Sequence, residues 1–213
     1  MDNLSYNEAS VIDLSKAGNG DFTRTWPRWL EALWMIIEFI LVTNPLQVSS
    51  KLRIGVLRIF GAKIGSGVIM RARTRIRFPW NLTIGDNCWI GEGVWISNKG
   101  KVVIGNNSVI SQESFITTGS HEPYVTMDVI VKPIIIQDGV WITSRCIVLP
   151  GVTVGKNSIV TPGSVVNKDL KPNGIYGGNP AKFIKNRFHR EEDLNDHDHE
   201  EKENRLRHQL LSS

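Results

Sequence analysis

At 213 residues, 41% hydrophobic and 22% charged, the chain is long enough for one domain with a sizeable core, and its balance excludes a disordered polymer or a protein embedded throughout in a bilayer. The formal charge of +4 is uneven: from His189 onward four basic residues stand against eight acidic ones, leaving about +8 on the remainder, and no nucleic-acid partner is expected. Cys88 and Cys146 fit no CxxC or disulfide spacing, and MDNLSYNEASVIDLSK lacks the basic and apolar regions of a secretory signal, so a reducing cytoplasm is expected.

The first predicted element is a helix within TWPRWLEALWMIIEFILVTNP, Thr25 to Pro45, with Thr25 as its cap. Between Trp29 and Val42 only Glu31 and Glu38 are polar, which is more apolar than one buried face requires. That stretch is shorter than the ~20 residues a bilayer span needs. It therefore either packs over a neighbour or lies in a membrane interface. The following QVSSKLRIGVLRIF reads as a basic amphipathic helix. Next, RARTRIR sets Arg71, Arg73, Arg75 and Arg77 on alternate positions, hence on one face of an extended segment. Two readings stand: a solvated outer wall, or a contact to an anionic surface such as a lipid diphosphate or the inner leaflet, giving peripheral attachment at the inner face of the membrane.

From there a period of six takes over. Apolar residues recur at Ile64, Met70, Ile76; Ile84, Ile90, Ile96; Ile104, Ile110, Ile116; and Ile136, Ile142, Val148, Val154, Val160, Val166. Six fits neither the helical period nor a simple strand, but it suits short extended segments joined by corners and stacked as a solenoid. The fifth residue of each hexad is small, from Val68, Thr74 and Cys88 through Gly100 and Ser120 to Cys146, Ser158 and Ser164; only Trp80 and Leu170 break the rule. A narrow interior needs this, and it assigns both cysteines to structure rather than catalysis. Two-residue insertions are expected between Ile76 and Ile84 and between Val102 and Ile104, and a loop is expected to leave the solenoid over 122–135. Residues 1–60 thus form an N-terminal extension with two helices, 61–186 the solenoid with its closing segment, and 187–213 a charged tail.

The run IIIQDGVWITSRCIVLPGVTVGKNSIVTPGSVVNKDL, followed by YGGNPAKFIKNR, resembles the C-terminal half of the maltose/galactoside O-acetyltransferase group. RIFGAKIGSGVIMRARTRIRFPWNLTIGDNCWIG and VISQESFITTGSHEP resemble the acetyltransferases of colanic-acid and related exopolysaccharide biosynthesis. The resemblance covers about residues 60 to 186 and implies an all-β, left-handed parallel β-helix with N-terminal α-helices and a short C-terminal extension. It also implies a homotrimer that uses acetyl-CoA to acetylate a sugar hydroxyl, each site lying in a groove shared by neighbouring prisms.

His121, in ITTGSHEP, is the lone histidine of the first 188 residues. An imidazole can take a proton from a hydroxyl and pass it to a leaving thiolate, and by resemblance His121 is the general base. The sequence offers Glu122 or a backbone carbonyl to orient the ring, and a backbone N–H as oxyanion donor, without naming that amide. By resemblance Trp141, Ser144, Pro162 and Asn167 line the coenzyme A groove, and Lys168 and Lys185 meet its nucleotide end. The residues alone equally fit Trp141 as a subunit contact and both lysines as solvated side chains. The acceptor segment departs from the Asn-Phe-Asn type of the maltose/galactoside enzymes, reading GEGVWISNKG, so Glu92 or Asn98 is expected to hold the acceptor.

A γ-type carbonic anhydrase would need several histidines around zinc, and only His121 lies among the repeats, so no metal site is expected. Asp196-His197-Asp198-His199-Glu200 reads as a solvated tail rather than a ligand set. The alternatives retained are an acetyltransferase for serine, an amino sugar or a xenobiotic, and a non-catalytic β-solenoid scaffold that would not bind acetyl-CoA.

Overall fold

Every residue of the six-step apolar series from Ile64 to Val166 is buried, and each lies beneath its counterpart one turn away. The computed structural model describes residues 11–188 and carries these residues in three vertical columns. On the first face strands Lys63–Ile64, Leu82–Ile84, Val102–Ile104, Ile134–Ile136 and Thr153–Val154 pair in parallel, stacking Ile64, Ile84, Ile104, Ile136 and Val154. The second face stacks Met70, Ile90, Ile110, Ile142, Val160 and Tyr176. The third stacks Ile76, Ile96, Ile116, Val148 and Val166. The result is a parallel, left-handed β-solenoid of about six turns. Its backbone groups bond to the turns above and below, so each coil completes the next.

The corners explain the small residues. Between the first and second faces the chain turns through left-handed conformations at Gly67, Asn87, Asn107, Gly139 and Asn157. These residue types tolerate positive φ best. Behind that corner Cys88 and Ser108 fill the narrow interior, and behind the next, Ser114 and Cys146 do the same. Burial pushes the Cys88 thiol up, and its Sγ donates to the Gly105 carbonyl at 3.0 Å, which fits a structural role.

The corner between the third and first faces carries the three insertions into the repeat. Pro79–Asn81 forms a short 3-10 turn in the step from Ile76 to Ile84. The second insertion lies at Asn98–Gly100, before Val102 rather than after it, because Val102–Ile104 is a regular strand. The third departure begins at Gly119, earlier than 122, and is an antiparallel hairpin rather than an open loop, so Ser120 is exposed and fills no interior slot.

Two helices close the first coil. Helix α1 spans Arg28–Ile37 and continues as a wider π-type turn, Glu38–Thr43; helix α2 spans Ser50–Ile59, capped by the Ser49 hydroxyl accepting from the Leu52 N–H. Thr25 does not cap α1. A residue preceding proline disfavours the helical region, so Trp26 before Pro27 delays the helix to Arg28. The helices meet the coil through polar groups that would otherwise stand unpaired at its edge. Trp34 Nε1 donates to the Ile76 carbonyl at 2.8 Å, and the Glu38 carboxylate accepts from the Ile76 N–H at 2.6 Å. Buried Arg53 donates to the carbonyls of Val42, at 3.0 Å, and Met70, at 3.3 Å. The solenoid's open end is thereby covered, as an exposed sheet edge requires. At the far end Gly174–Gly177 and the antiparallel strand Lys182–Asn186 close the second face.

The four arginines do not share a face, because the chain turns a corner at Arg73, where φ is 59°. Arg71 follows the second-face strand Ile69–Met70, and Arg75 lies on the third face. No described helix is long and apolar enough to cross a membrane. The Asp196–Glu200 cluster lies outside the described residues.

Candidate active site

The hairpin that breaks the third corner carries His121. Its strands, Gly119–His121 and Val129–Val131, pair with His121 opposite Val129. The base is fastened by the Lys132 N–H donating to the Thr118 carbonyl at 2.9 Å, while the buried Thr118 hydroxyl accepts from the Gly100 N–H at 2.8 Å. The N-terminal segment adds a clamp. Gly18 N–H donates to the Asp128 carboxylate at 2.5 Å and Asp21 N–H to the Val129 carbonyl at 2.8 Å. Gly20, at φ 47°, runs so close to Val129 that a Cβ would collide with its carbonyl. Trp26 stacks on Trp80 at 4.8 Å and Phe22 lies 5.9 Å from Phe78, tying the same segment to the corner below.

His121 is exposed, and its Nδ1 lies 2.8 Å from the Met127 carbonyl. A carbonyl only accepts, so Nδ1 carries the proton, and in the neutral ring the lone pair is on Nε2. Glu122 does not orient the ring. Its carboxylate accepts from the N–H groups of Tyr124, Val125 and Thr126 at 2.9, 2.7 and 2.9 Å, chiefly through Thr126, and these bonds hold its carboxyl below the usual range. The backbone carbonyl left open by the sequence is thus Met127, and nothing in the sequence marks it, since the hairpin register alone brings it there.

A second feature runs along the second face: a groove of about 850 Å³ reaching from Ile69, Arg71 and Trp89 to Trp141, Ser144 and Pro162. Trp141 is fixed across the coils, its Nε1 donating to Ser111 Oγ at 2.9 Å, and Ser144 Oγ donates to Gln112 Oε1 at 3.1 Å. A long groove with an apolar floor and few side-chain hydroxyls and amides suits an extended chain such as a pantetheine arm. The structure thus brings Trp141, Ser144 and Pro162 together. Lys185 lies on the last strand of the same face. Asn167 and Lys168 lie beyond Val166, around the corner that carries the His121 hairpin, and do not join the groove within one chain.

The acceptor candidates fare differently. Asn98 is 0% exposed; its Oδ1 accepts from the Phe78 N–H at 3.0 Å and its Nδ2 donates to the Phe78 carbonyl at 2.7 Å. With both ends occupied and no exposed surface it stitches two corners together and offers nothing to an acceptor. Glu92 is exposed at the corner between the second and third faces, 3.4 Å from Arg73, and no contact joins it to His121.

A family model described as bacterial transferase hexapeptide (six repeats) matches residues 133–168. The chain is 38% identical over 162 residues to a protein of Escherichia coli (strain K12) that bears the name colanic acid biosynthesis acetyltransferase WcaF, covering 75% of this chain and 88% of that one. Among solved structures, a hexapeptide-repeat acetyltransferase of Vibrio cholerae O1 biovar eltor complexed with acetyl coenzyme A aligns with a TM-score of 0.67 and 26% identity, over 75% of this chain and 87% of that one. A maltose O-acetyltransferase of Clostridium difficile 630 aligns at 0.61 and 26%, over 76% and 84%. With the prism, its columns of stacked apolar residues and this long match in agreement, the chain belongs to the hexapeptide-repeat acetyltransferases.

Proposed function

We propose that this acetyltransferase moves an acetyl group from acetyl-CoA to a sugar hydroxyl of a surface-polysaccharide precursor or repeat, with His121 as general base. The observation that carries the reading is the 2.8 Å hydrogen bond from Nδ1 to the Met127 carbonyl on an otherwise exposed ring. It leaves Nε2 to take the proton from the acceptor hydroxyl while that oxygen attacks the thioester carbonyl. The same Nε2 then returns the proton to the departing thiolate. Trp141, Ser144 and Pro162 would hold the donor arm in the groove, with Lys185 toward its nucleotide end. A sugar acceptor and a polysaccharide pathway are supported by what the E. coli and C. difficile relatives are named for.

His121 and the groove lie at opposite edges of the third face, so a second copy must bring them together. We therefore infer a homotrimer in which the hairpin corner of one subunit, with Asn167 and Lys168, meets the groove of the next. An attachment to the inner face of the membrane is supported by the apolar outer side of α1 and its π-type continuation, where Trp29, Met35, Ile36, Phe39 and Ile40 are exposed.

The test is thiol release from acetyl-CoA across a panel of saccharides. His121→Ala is expected to fold, bind acetyl-CoA and lose about 10²-fold or more in turnover. Unchanged acetyl transfer by that variant refutes the assignment.

A further inference from the structure

We propose that the Arg71–Trp89 end of the groove is an acceptor subsite for a saccharide bearing a negative charge, either a phosphate or a carboxylate. The inference rests on the reading of the groove's other end, at Trp141 and Pro162, as the donor site.

Of the residues lining the groove, Arg71 alone is charged, and no carboxylate faces it. Its neighbours in the sequence are all committed. Arg73 pairs with Glu92 at 3.4 Å, Arg75 lies over the Trp95 ring at 4.4 Å, and Arg77 over the Phe78 ring at 5.6 Å. The Arg71 guanidinium makes no hydrogen bond, ion pair or ring contact among the described residues, yet it is exposed at the groove wall. Close stacking of the coils keeps the neighbouring position bare: a Cβ on Gly91 would meet the Ser111–Gln112 backbone at 2.7–2.8 Å. The residues that follow the buried column of the second face are Arg71, Gly91 and Ser111 on successive coils. Gly91 places no side chain between the guanidinium and Ser111.

A cation with its fork unoccupied, in a largely apolar groove, matches an oxyanion through paired N–H donors, a geometry that a lone hydroxyl cannot fully use. Beside it the Trp89 indole is 58% exposed and offers an apolar face against which the C–H side of a pyranose can be buried. A neutral sugar would use the indole alone. A sugar phosphate or uronate would use both.

Binding is measured by calorimetry on the full chain with coenzyme A present, using methyl glucoside, glucose 1-phosphate and glucuronic acid, with inorganic phosphate as a fourth probe. At least one charged saccharide is expected to bind about 10- to 100-fold more tightly than methyl glucoside. The phosphate and carboxylate arms identify which anion is preferred. Arg71→Gln should erase the preference, Arg71→Lys should retain part of it, and Trp89→Ala should weaken all three saccharides alike. Equal affinities in the native protein, or a preference that survives Arg71→Gln, would overturn the proposal. So would inorganic phosphate binding as tightly as glucose 1-phosphate, which would leave no role for the sugar. Coenzyme A binding by Ser144→Trp, which fills the other end of the groove, separates the two readings. If that variant binds coenzyme A as tightly as the native chain, the donor-site assignment falls, while the Arg71 site is still judged by its preference among the saccharides.

Discussion

The imidazole of His121 is exposed, and only the hairpin turn holds it in place. That turn is built by Glu122, whose carboxylate gathers three successive N–H groups and so fixes the Met127 carbonyl that receives Nδ1. With His121 as the proposed base, Glu122 takes the part of a positioning residue. Glu122→Ala should lower kcat by about 10- to 100-fold through misplacement of the base while leaving the KM for acetyl-CoA nearly unchanged. A merely destabilised fold would instead move both or neither. The pH dependence has a definite sign. Because the folded carboxyl titrates below its unfolded value, its contribution is fully present above the ordinary glutamate range and is lost as pH falls through the depressed folded value. Amide-exchange protection factors at Tyr124, Val125 and Thr126, taken against the intrinsic rate at each pH, should therefore fall on acidification in the native chain and be low at every pH in Glu122→Ala.

Helix α1 with its π-type turn joins a strongly apolar outer surface to a polar inner one. Both of its carboxylates are engaged: Glu31 pairs with Arg24 at 2.5 Å, and Glu38 turns inward to the Ile76 N–H, where burial pushes its carboxyl up. The outer side is left with Trp29, Met35, Ile36, Phe39 and Ile40 and no acid to repel an anionic lipid, while exposed Arg28 and Lys51 flank it. An element too short to span and apolar outward suits the bilayer interface. Vesicles containing anionic lipid should carry the protein upward in a flotation gradient. Phe39→Asp should reduce that partition at least tenfold, since a buried aromatic is worth about 1.5–3 kcal/mol. Self-association through this face without flotation would sink the idea. At this scale the sequence was legible wherever period decided structure. The six-residue step announced the three columns, and the basic amphipathic run QVSSKLRIGVLRIF announced α2. It misled where one corner altered the meaning of a pattern: alternation placed the arginines on one face until the turn at Arg73 divided them. Asn98 reads as a free polar residue, because only stacking of coils reveals that its amide bridges Phe78. The Met127 carbonyl is invisible to any side-chain motif.

Across the whole molecule, the prism separates what the chemistry must join. The His121 hairpin projects from the corner that ends the third face, and the groove lies on the second face at the corner that begins it, so in the proposed reading one chain holds two half-sites. If each active site pairs the hairpin of one subunit with the groove of the next, two separately inactive variants should rescue one another. His121→Ala lacks the base but keeps its groove. Ser144→Trp fills the groove near Pro162 and should abolish acetyl-CoA binding while keeping His121. Coexpressed in equal amounts, mixed trimers contain one intact pairing each, so random assortment in a closed three-fold ring predicts about a quarter of the native activity. Each variant alone should stay inactive, and their purified trimers, mixed without subunit exchange, should stay inactive too. Activity that never rises above the sum of the two variants would mean that each chain completes its own site. The hairpin would then have to fold back across the third face to reach the groove, a movement opposed by the clamp from Gly18 and Asp21.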